Sequence, residues 1–188
     1  MIYIENEKFE KTDFSTIKLA KGEYDNCLFD HCNFENTDLS GNIFSECAFI
    51  GSNLSMVKLV QTTFREVNFK DCKLLGLHFE DCSKLLFKVD FENCMMNLSS
   101  FYKCNLKKVV FKKCCLQEVD FTEAYLTGAM FQDSDLYKAI FDHTILDKAD
   151  LRTAYHYSID PAMNSMKKAR FSISGISGLL DKYDIEIE

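Results

Sequence analysis

Residues 109–126 read Val109-Val110-Phe111-Lys112-Lys113-Cys114-Cys115-Leu116-Gln117-Glu118-Val119-Asp120-Phe121-Thr122-Glu123-Ala124-Tyr125-Leu126, and a large apolar residue returns at every fifth position: Phe111, Leu116, Phe121, Leu126. Followed outward, the same register runs from Phe9 to Phe79, resumes at Leu86 after a step of seven, and continues to Leu151. Its 29 central positions hold 15 Phe, 12 Leu, one Tyr and one Met, so that of the 17 Phe only Phe87 and Phe171 lie outside these positions. A period of five fits neither an α-helix, at 3.6, nor a half-buried strand, at 2.

A second ladder supplies the geometry. Two residues before the centre, 23 of the 29 units carry Ala, Ser, Thr, Cys or Val. Residues at i and i−2 of an extended backbone point to one side, which leaves i−1, i+1 and i+2 for solvent and for a corner. Each five-residue unit is then one short wall whose inward pair is one large and one small side chain, and stacking such walls gives a solenoid. Composition agrees. A chain of 188 residues, 47% hydrophobic and 27% charged, is sized for a single domain. Its one Pro and seven Gly are too few for ordinary loops, so the corners must be made of something else. Gly41, Gly51, Gly76 and Gly128 all fall at i+2, where a residue without Cβ is expected to suit the corner.

Units such as Thr37-Asp38-Leu39-Ser40-Gly41, Val119-Asp120-Phe121-Thr122-Glu123 and Ala149-Asp150-Leu151-Arg152-Thr153 resemble the repeats of pentapeptide-repeat proteins. The resemblance covers residues 7–153 and implies an all-β fold, a right-handed quadrilateral parallel β-helix with four units per coil. At 20 residues per coil, 29 units make about seven coils, a rod roughly 34 Å long at ~4.8 Å per coil. Residues 1–188 are expected to form one domain, with the repeat broken at 80–85 and a small helical cap over 154–188.

The register also sorts the chemistry-bearing residues. Cys27, Cys32, Cys47, Cys72, Cys94, Cys104 and Cys114 occupy the small inward position, and Cys82 joins them if the register runs on to Lys84. They read as packed thiols without disulfides, and Cys115 as the exposed one. None of His31, His78, His143 and His156 is central. An interior filled by its own side chains leaves no substrate cleft, so no enzyme, metal or cofactor is expected. No signal peptide or spanning segment is seen, which points to a cytoplasmic protein, and a net charge of −7 argues against direct nucleic-acid binding.

Charge is uneven along the chain: net −6 over residues 1–57, +5 over 58–113 and −6 over 114–150. Lys88, Lys103, Lys107, Lys108, Lys112 and Lys113 mark the basic middle and are candidates for partner contact. Ile2-Tyr3-Ile4 is expected to cap the first coil. Asp160-Pro161 is expected to start a short helix reaching Met166, Ala169-Arg170-Phe171 to add a wall, Gly178 to Tyr183 to turn helically, and Asp184 to Glu188 to form a terminal strand. Phe171, Ile176, Leu179, Leu180, Tyr183, Ile185 and Ile187 exceed what a cap needs and are expected to pair two copies at the C-terminal end. This tail is similar to that of the Qnr-type subgroup. That resemblance implies dimeric rods that bind DNA gyrase or topoisomerase IV by imitating duplex DNA and lessen quinolone action. The alternative is a scaffold that binds another bacterial protein through a flat wall.

Overall fold

The computed structural model describes residues 2–186. Its strands are β1 (Ile2–Glu5), β2 (Lys8–Glu10), β3 (Gly22–Asp25), β4 (Leu28–Asp30), β5 (Ile43–Ser45), β6 (Ala48–Ile50), β7 (Thr63–Arg65), β8 (Val67–Lys70), β9 (Val89–Glu92), β10 (Val110–Lys112) and β11 (Met130–Gln132). All pairings are parallel, in one sheet of order β1-β3-β5-β7 and another of order β2-β4-β6-β8-β9-β10-β11. Partners lie 20 residues apart, as in Phe9 with Phe29 and Phe111 with Phe131, except that Phe69 faces Phe91 across a step of 22. The fold is therefore a parallel β-solenoid of about seven coils, with one strand of the larger sheet contributed by each coil.

The other walls meet through single bridges such as Asp13 to Asn33 to Asn53 and Ser100 to Asp120 to Ile140. The residue before the centre explains much of this division. Where it is Asp or Asn, its side-chain oxygen accepts the N–H two residues on, as Asp13 does from Ser15, Asp38 from Ser40, Asn53 from Ser55 and Asp120 from Thr122. That local bond folds the unit into a turn. Where it is Ile43, Thr63, Val110 or Met130, nothing competes with the ladder and a strand forms. Asn68 and Asp90 are extended despite their side chains; Asp90 Oδ1 is instead used one coil up, by the Val110 N–H at 2.7 Å.

Of the 29 central residues, 26 are buried; Phe9 and Leu19 are partly buried in the open first coil, and Leu86 is exposed. The rings of Phe9, Phe29, Phe49, Phe69, Phe91, Phe111 and Phe131 stack in one column with centroids 4.6 to 5.4 Å apart. The Phe69–Phe91 step, which spans the two extra residues, is 5.4 Å, so the insertion leaves this wall intact. Phe79, Phe101, Phe121 and Phe141 form a second column, edge-on to the first. Each ring buried in this way contributes about 1.5–3 kcal/mol.

The small inward residues do more than fit. Ser52, Thr62, Ser99, Ser134 and Thr144 each donate a hydroxyl hydrogen bond to a carbonyl one coil below, and Cys47 offers its thiol to the Tyr24 carbonyl at 3.3 Å. The ladder thus satisfies backbone acceptors that face the core. All nine cysteines are free thiols and all but Cys115 are buried. Burial pushes the thiols of Cys47 and Cys104 up to about 12, which keeps them protonated and unreactive at neutral pH.

The corners are as expected: Gly41, Gly51, Gly76 and Gly128 are all left-handed, and the remaining corners do without glycine. At i+2 the backbone turns left-handed in nearly every unit, and most of these positions carry a Cβ: Asn26, His31, Asn36, Glu46, Asp71, Lys103, Lys108, Glu123 and Lys148 have φ of +49° to +62°. Among the described residues none of the non-glycine left-handed ones is β-branched, the class for which this region is most strained. A repeating corner can therefore be built from Asn, Lys, Glu and His, which is why the chain needs so little glycine or proline.

Four readings of the ends and the break need correction. Cys82 remains buried in register, so the irregular segment is 84–88 rather than 80–85; Leu86 is a left-handed, 67% exposed residue, and the ring packed against the core is Phe87, edge-on to Phe79 at 6.4 Å. At the start, Ile4 pairs with Tyr24 inside β1, making 2–5 the first wall and not a lid over it. After Leu151 no helix begins at Pro161. Asp160 Oδ1 accepts the Ala162 N–H at 2.8 Å and closes a single turn. Asn164-Ser165-Met166 then forms an unforeseen wall, with Asn164 bonded to the Thr144 N–H and the Phe141 carbonyl and Met166 packed inward. Arg170 bridges Asp150 and Phe171 packs inward, as the small-x-large triplet suggested. The cap consists of 3₁₀ helices at Ile173–Leu179 and Asp181–Tyr183, followed by Asp184 in a left-handed conformation rather than a strand; Ile187 lies outside the described residues.

Candidate partner-binding surface

The five-residue unit turns a corner after each wall, so lysines close in sequence spread around the rod. Lys107 follows the centre Leu106 and Lys112 the centre Phe111, which places them on adjacent walls; Lys103, Lys108 and Lys113 stand at three successive corners. Lys88 lies one coil below Lys108. Three of the six are neutralised locally: Lys88 by Glu66 at 3.0 Å, Lys103 by Glu123 at 3.4 Å and Lys112 by Glu92 at 2.8 Å. These are exposed pairs, worth little to stability. Among the described residues Lys107, Lys108 and Lys113 have no carboxylate within ion-pair distance. The expected basic middle is therefore a belt around the coil and not one flat patch.

At the register break the belt opens into a cleft of about 390 Å³, lined among others by Glu80, Lys84, Phe87, Lys103, Lys107 and Tyr125. The segment 84–88 bows outward because it carries two residues more than a wall accommodates, and the coil above supplies the opposite side. Lys84, Phe87 and Tyr125 were not among the partner-contact residues expected from the sequence. Their only signal was the seven-residue step, and Tyr125 lies eight units, two coils, beyond the point where the register resumes.

Each histidine leans on a carboxylate: His31 on Asp30 at 2.6 Å, His78 on Glu80 at 2.9 Å, His143 on Asp142 at 2.8 Å and His156 on Asp135 at 2.9 Å. All four rings are exposed, as the register required. Hydrogen bonds from His31 and Lys8 hold the Asp30 carboxyl below its usual range. Among the described residues no second histidine or nucleophile joins any of these pairs. Among the described residues no group of three or more His, Cys, Asp or Glu converges as metal ligands would. No helix there is long and apolar enough to cross a membrane.

At the C-terminal end the apolar residues divide. Phe171 and Leu179 pack inward and Leu180 is half-buried, whereas Ile176, Tyr183 and Ile185 remain exposed together with Ile173, which is 92% exposed. The cap is seated by the Ile159 N–H, which donates to the Gly178 carbonyl at 2.8 Å, and by Tyr157, whose ring lies against Gly175 and Gly178.

A family model described as a pentapeptide repeat region matches residues 23–85 and 84–154. The chain belongs to the pentapeptide-repeat family. The two matched segments of this pentapeptide-repeat protein meet at the extra residues that open the cleft. A curated relative, the pentapeptide repeat protein MfpA of Mycobacterium tuberculosis, is 31% identical over 68 residues, which are 36% of this chain and 37% of that protein. The match thus spans well under half the length of that relative. Among solved structures, trypsin-treated QnrB1, titled a plasmid-mediated fluoroquinolone resistance protein, aligns over 100% of this chain and 98% of its own at 20% identity and a TM-score of 0.46. HetL of the cyanobacterium Nostoc, titled as involved in heterocyst differentiation regulation, aligns over 90% and 84% at 19% identity and a TM-score of 0.44.

Proposed function

We propose that this pentapeptide-repeat protein is a non-enzymatic, cytoplasmic rod that binds a type II DNA topoisomerase, gyrase or topoisomerase IV, in place of duplex DNA. The observation that carries this reading is a regular, densely filled rod with an excess of carboxylates on either side of its basic middle, net −6 over residues 1–57 and −6 over 114–150. A solid rod of that kind offers walls, not an interior, and rows of negative charge are what a DNA-binding groove attracts. In a supercoiling assay, micromolar protein is expected to inhibit gyrase or to relieve its inhibition by a quinolone. Neither effect at tens of micromolar would contradict the reading.

The basic belt favours a second reading, since a DNA mimic has no use for free lysines. In it the rod is a scaffold and Lys88, Lys103, Lys107, Lys108, Lys112 and Lys113 meet an acidic protein. Loss of gyrase effects with retention of a lysine-dependent complex would select it.

We infer also that two copies join at the cap. Ile173, Ile176, Tyr183 and Ile185 are exposed on one small end of the rod, and a two-fold contact would cover them in both copies at once. Light scattering at ~100 micromolar, a concentration that fills an interface of ordinary size, is expected to give the dimer mass. A monomer there would leave the tail as a cap alone.

A further inference from the structure

The cleft at the register break shares Lys103 and Lys107 with the scaffold reading but has further features that neither protein-binding reading uses. Its floor is apolar, made by Phe79 and by Phe87, whose ring is only partly buried. Tyr125, 45% exposed, stands at its rim. Lys84, Lys103 and Lys107 all line it. Lys103 has Glu123 at 3.4 Å, while among the described residues neither Lys84 nor Lys107 has a carboxylate partner. Cations gathered around one concavity repel one another unless an anion is shared between them, and a concave site concentrates their field.

Glu80 adds the third element. One carboxylate oxygen takes the His78 ring at 2.9 Å; the other is buried and has no hydrogen-bond partner. A buried acceptor left without a donor costs free energy that an incoming N–H or O–H recovers. Glu80, Lys84 and Cys104 all line the cleft; burial and then the Glu80 carboxylate push the Cys104 thiol up, while the Lys84 ammonium pulls it down. Acceptor, cations and apolar floor therefore converge within about 390 Å³, a size in the range of small-molecule sites.

We propose that this cleft binds a small amphoteric acid: a ring-sized apolar body against Phe87 and Tyr125, a carboxylate held by Lys84 and Lys107, and an N–H or O–H donor given to Glu80. An aromatic amino acid has all three parts. The insertion creates the site, since a regular wall would place a central side chain where the cleft lies. The site is independent of gyrase binding and of the dimer.

The test uses the full chain, titrated with phenylalanine, phenylacetate and phenethylamine and followed by amide NMR. Phenylalanine is expected to bind with a Kd of about 1 mM, ordinary for a dozen non-hydrogen atoms, and to shift resonances of residues 79–88 and 103–107. Phenylacetate, lacking the donor, and phenethylamine, lacking the carboxylate, should each bind several-fold more weakly. The surface variant carrying Lys84→Gln and Lys107→Gln should lose about tenfold in affinity for phenylalanine, whereas Lys148→Gln, on another coil, should lose none. No saturable shift, equal binding of the three probes, or affinity unchanged by the Lys84 and Lys107 substitutions would overturn the proposal.

Discussion

Phe111→Ala is expected to cost about 3–5 kcal/mol in urea unfolding. Phe111 is fully buried, with Phe91 stacked 5.3 Å below it, Phe131 5.1 Å above it, and Phe101 and Phe121 edge-on at 5.9 and 5.8 Å. Removing the ring leaves a void that the backbone cannot close, because parallel ladders fix the spacing between coils. The neighbouring Lys112→Ala removes only an exposed contact to Glu92 and should change stability by no more than about 0.5 kcal/mol. Equal losses in the two variants would mean that the inward and outward positions have been confused.

Gly178→Ala is expected to be nearly as damaging, about 3 kcal/mol, and to act by lifting the cap. A Cβ there would stand 2.1 Å from the Tyr157 carbonyl oxygen and 2.9 Å from its ring. The first of these is backbone and cannot swing aside. The displaced 3₁₀ helices would uncover Tyr157, Phe171 and Leu179, so the variant should bind a hydrophobic dye and be cleaved by protease between residues 172 and 183. Gly128→Ala separates this steric effect from backbone strain. Gly128 has φ of +70°, but the nearest atom to its Cβ would be Lys108 Cγ at 3.6 Å, so only about 1 kcal/mol is at stake. A cap that stays closed in Gly178→Ala would contradict the seating described here.

The period of five made the walls, the Phe columns and the buried thiols legible because the solenoid repeats one local geometry, and each unit carries the same instruction. Legibility failed where that repetition fails. Leu86 satisfies a count of fives better than Phe87 does, yet two extra residues detach the backbone from the ladder, and the larger ring then wins the core position. Asn164-Ser165-Met166 was missed because His156 and Pro161 fill the two preceding central positions and end the apolar run, although Met166 stands 15 residues after Leu151 and Asn164 supplies the same bond to a lower carbonyl that Ser or Thr supplies elsewhere. Asp160-Pro161 carries a helix-start signal that is spent on one turn. The binding surface was harder to read. Sequence proximity grouped Lys103 to Lys113 as one cluster, whereas five residues turn a corner and separate them; the cleft instead gathers Glu80, Lys84, Lys107 and Tyr125 from successive coils, a relation visible only once the 20-residue coil and its two extra residues are placed together.

The reading of the rod as a stand-in for duplex DNA is tested most directly by competition. A labelled duplex of the length that gyrase protects is bound to the enzyme at fixed salt, and the protein is titrated in while anisotropy is followed. The account predicts that the duplex is displaced at micromolar protein and that excess unlabelled duplex reverses the effect. A protein that leaves the duplex bound at tens of micromolar, or that joins gyrase and duplex in one complex, would contradict it.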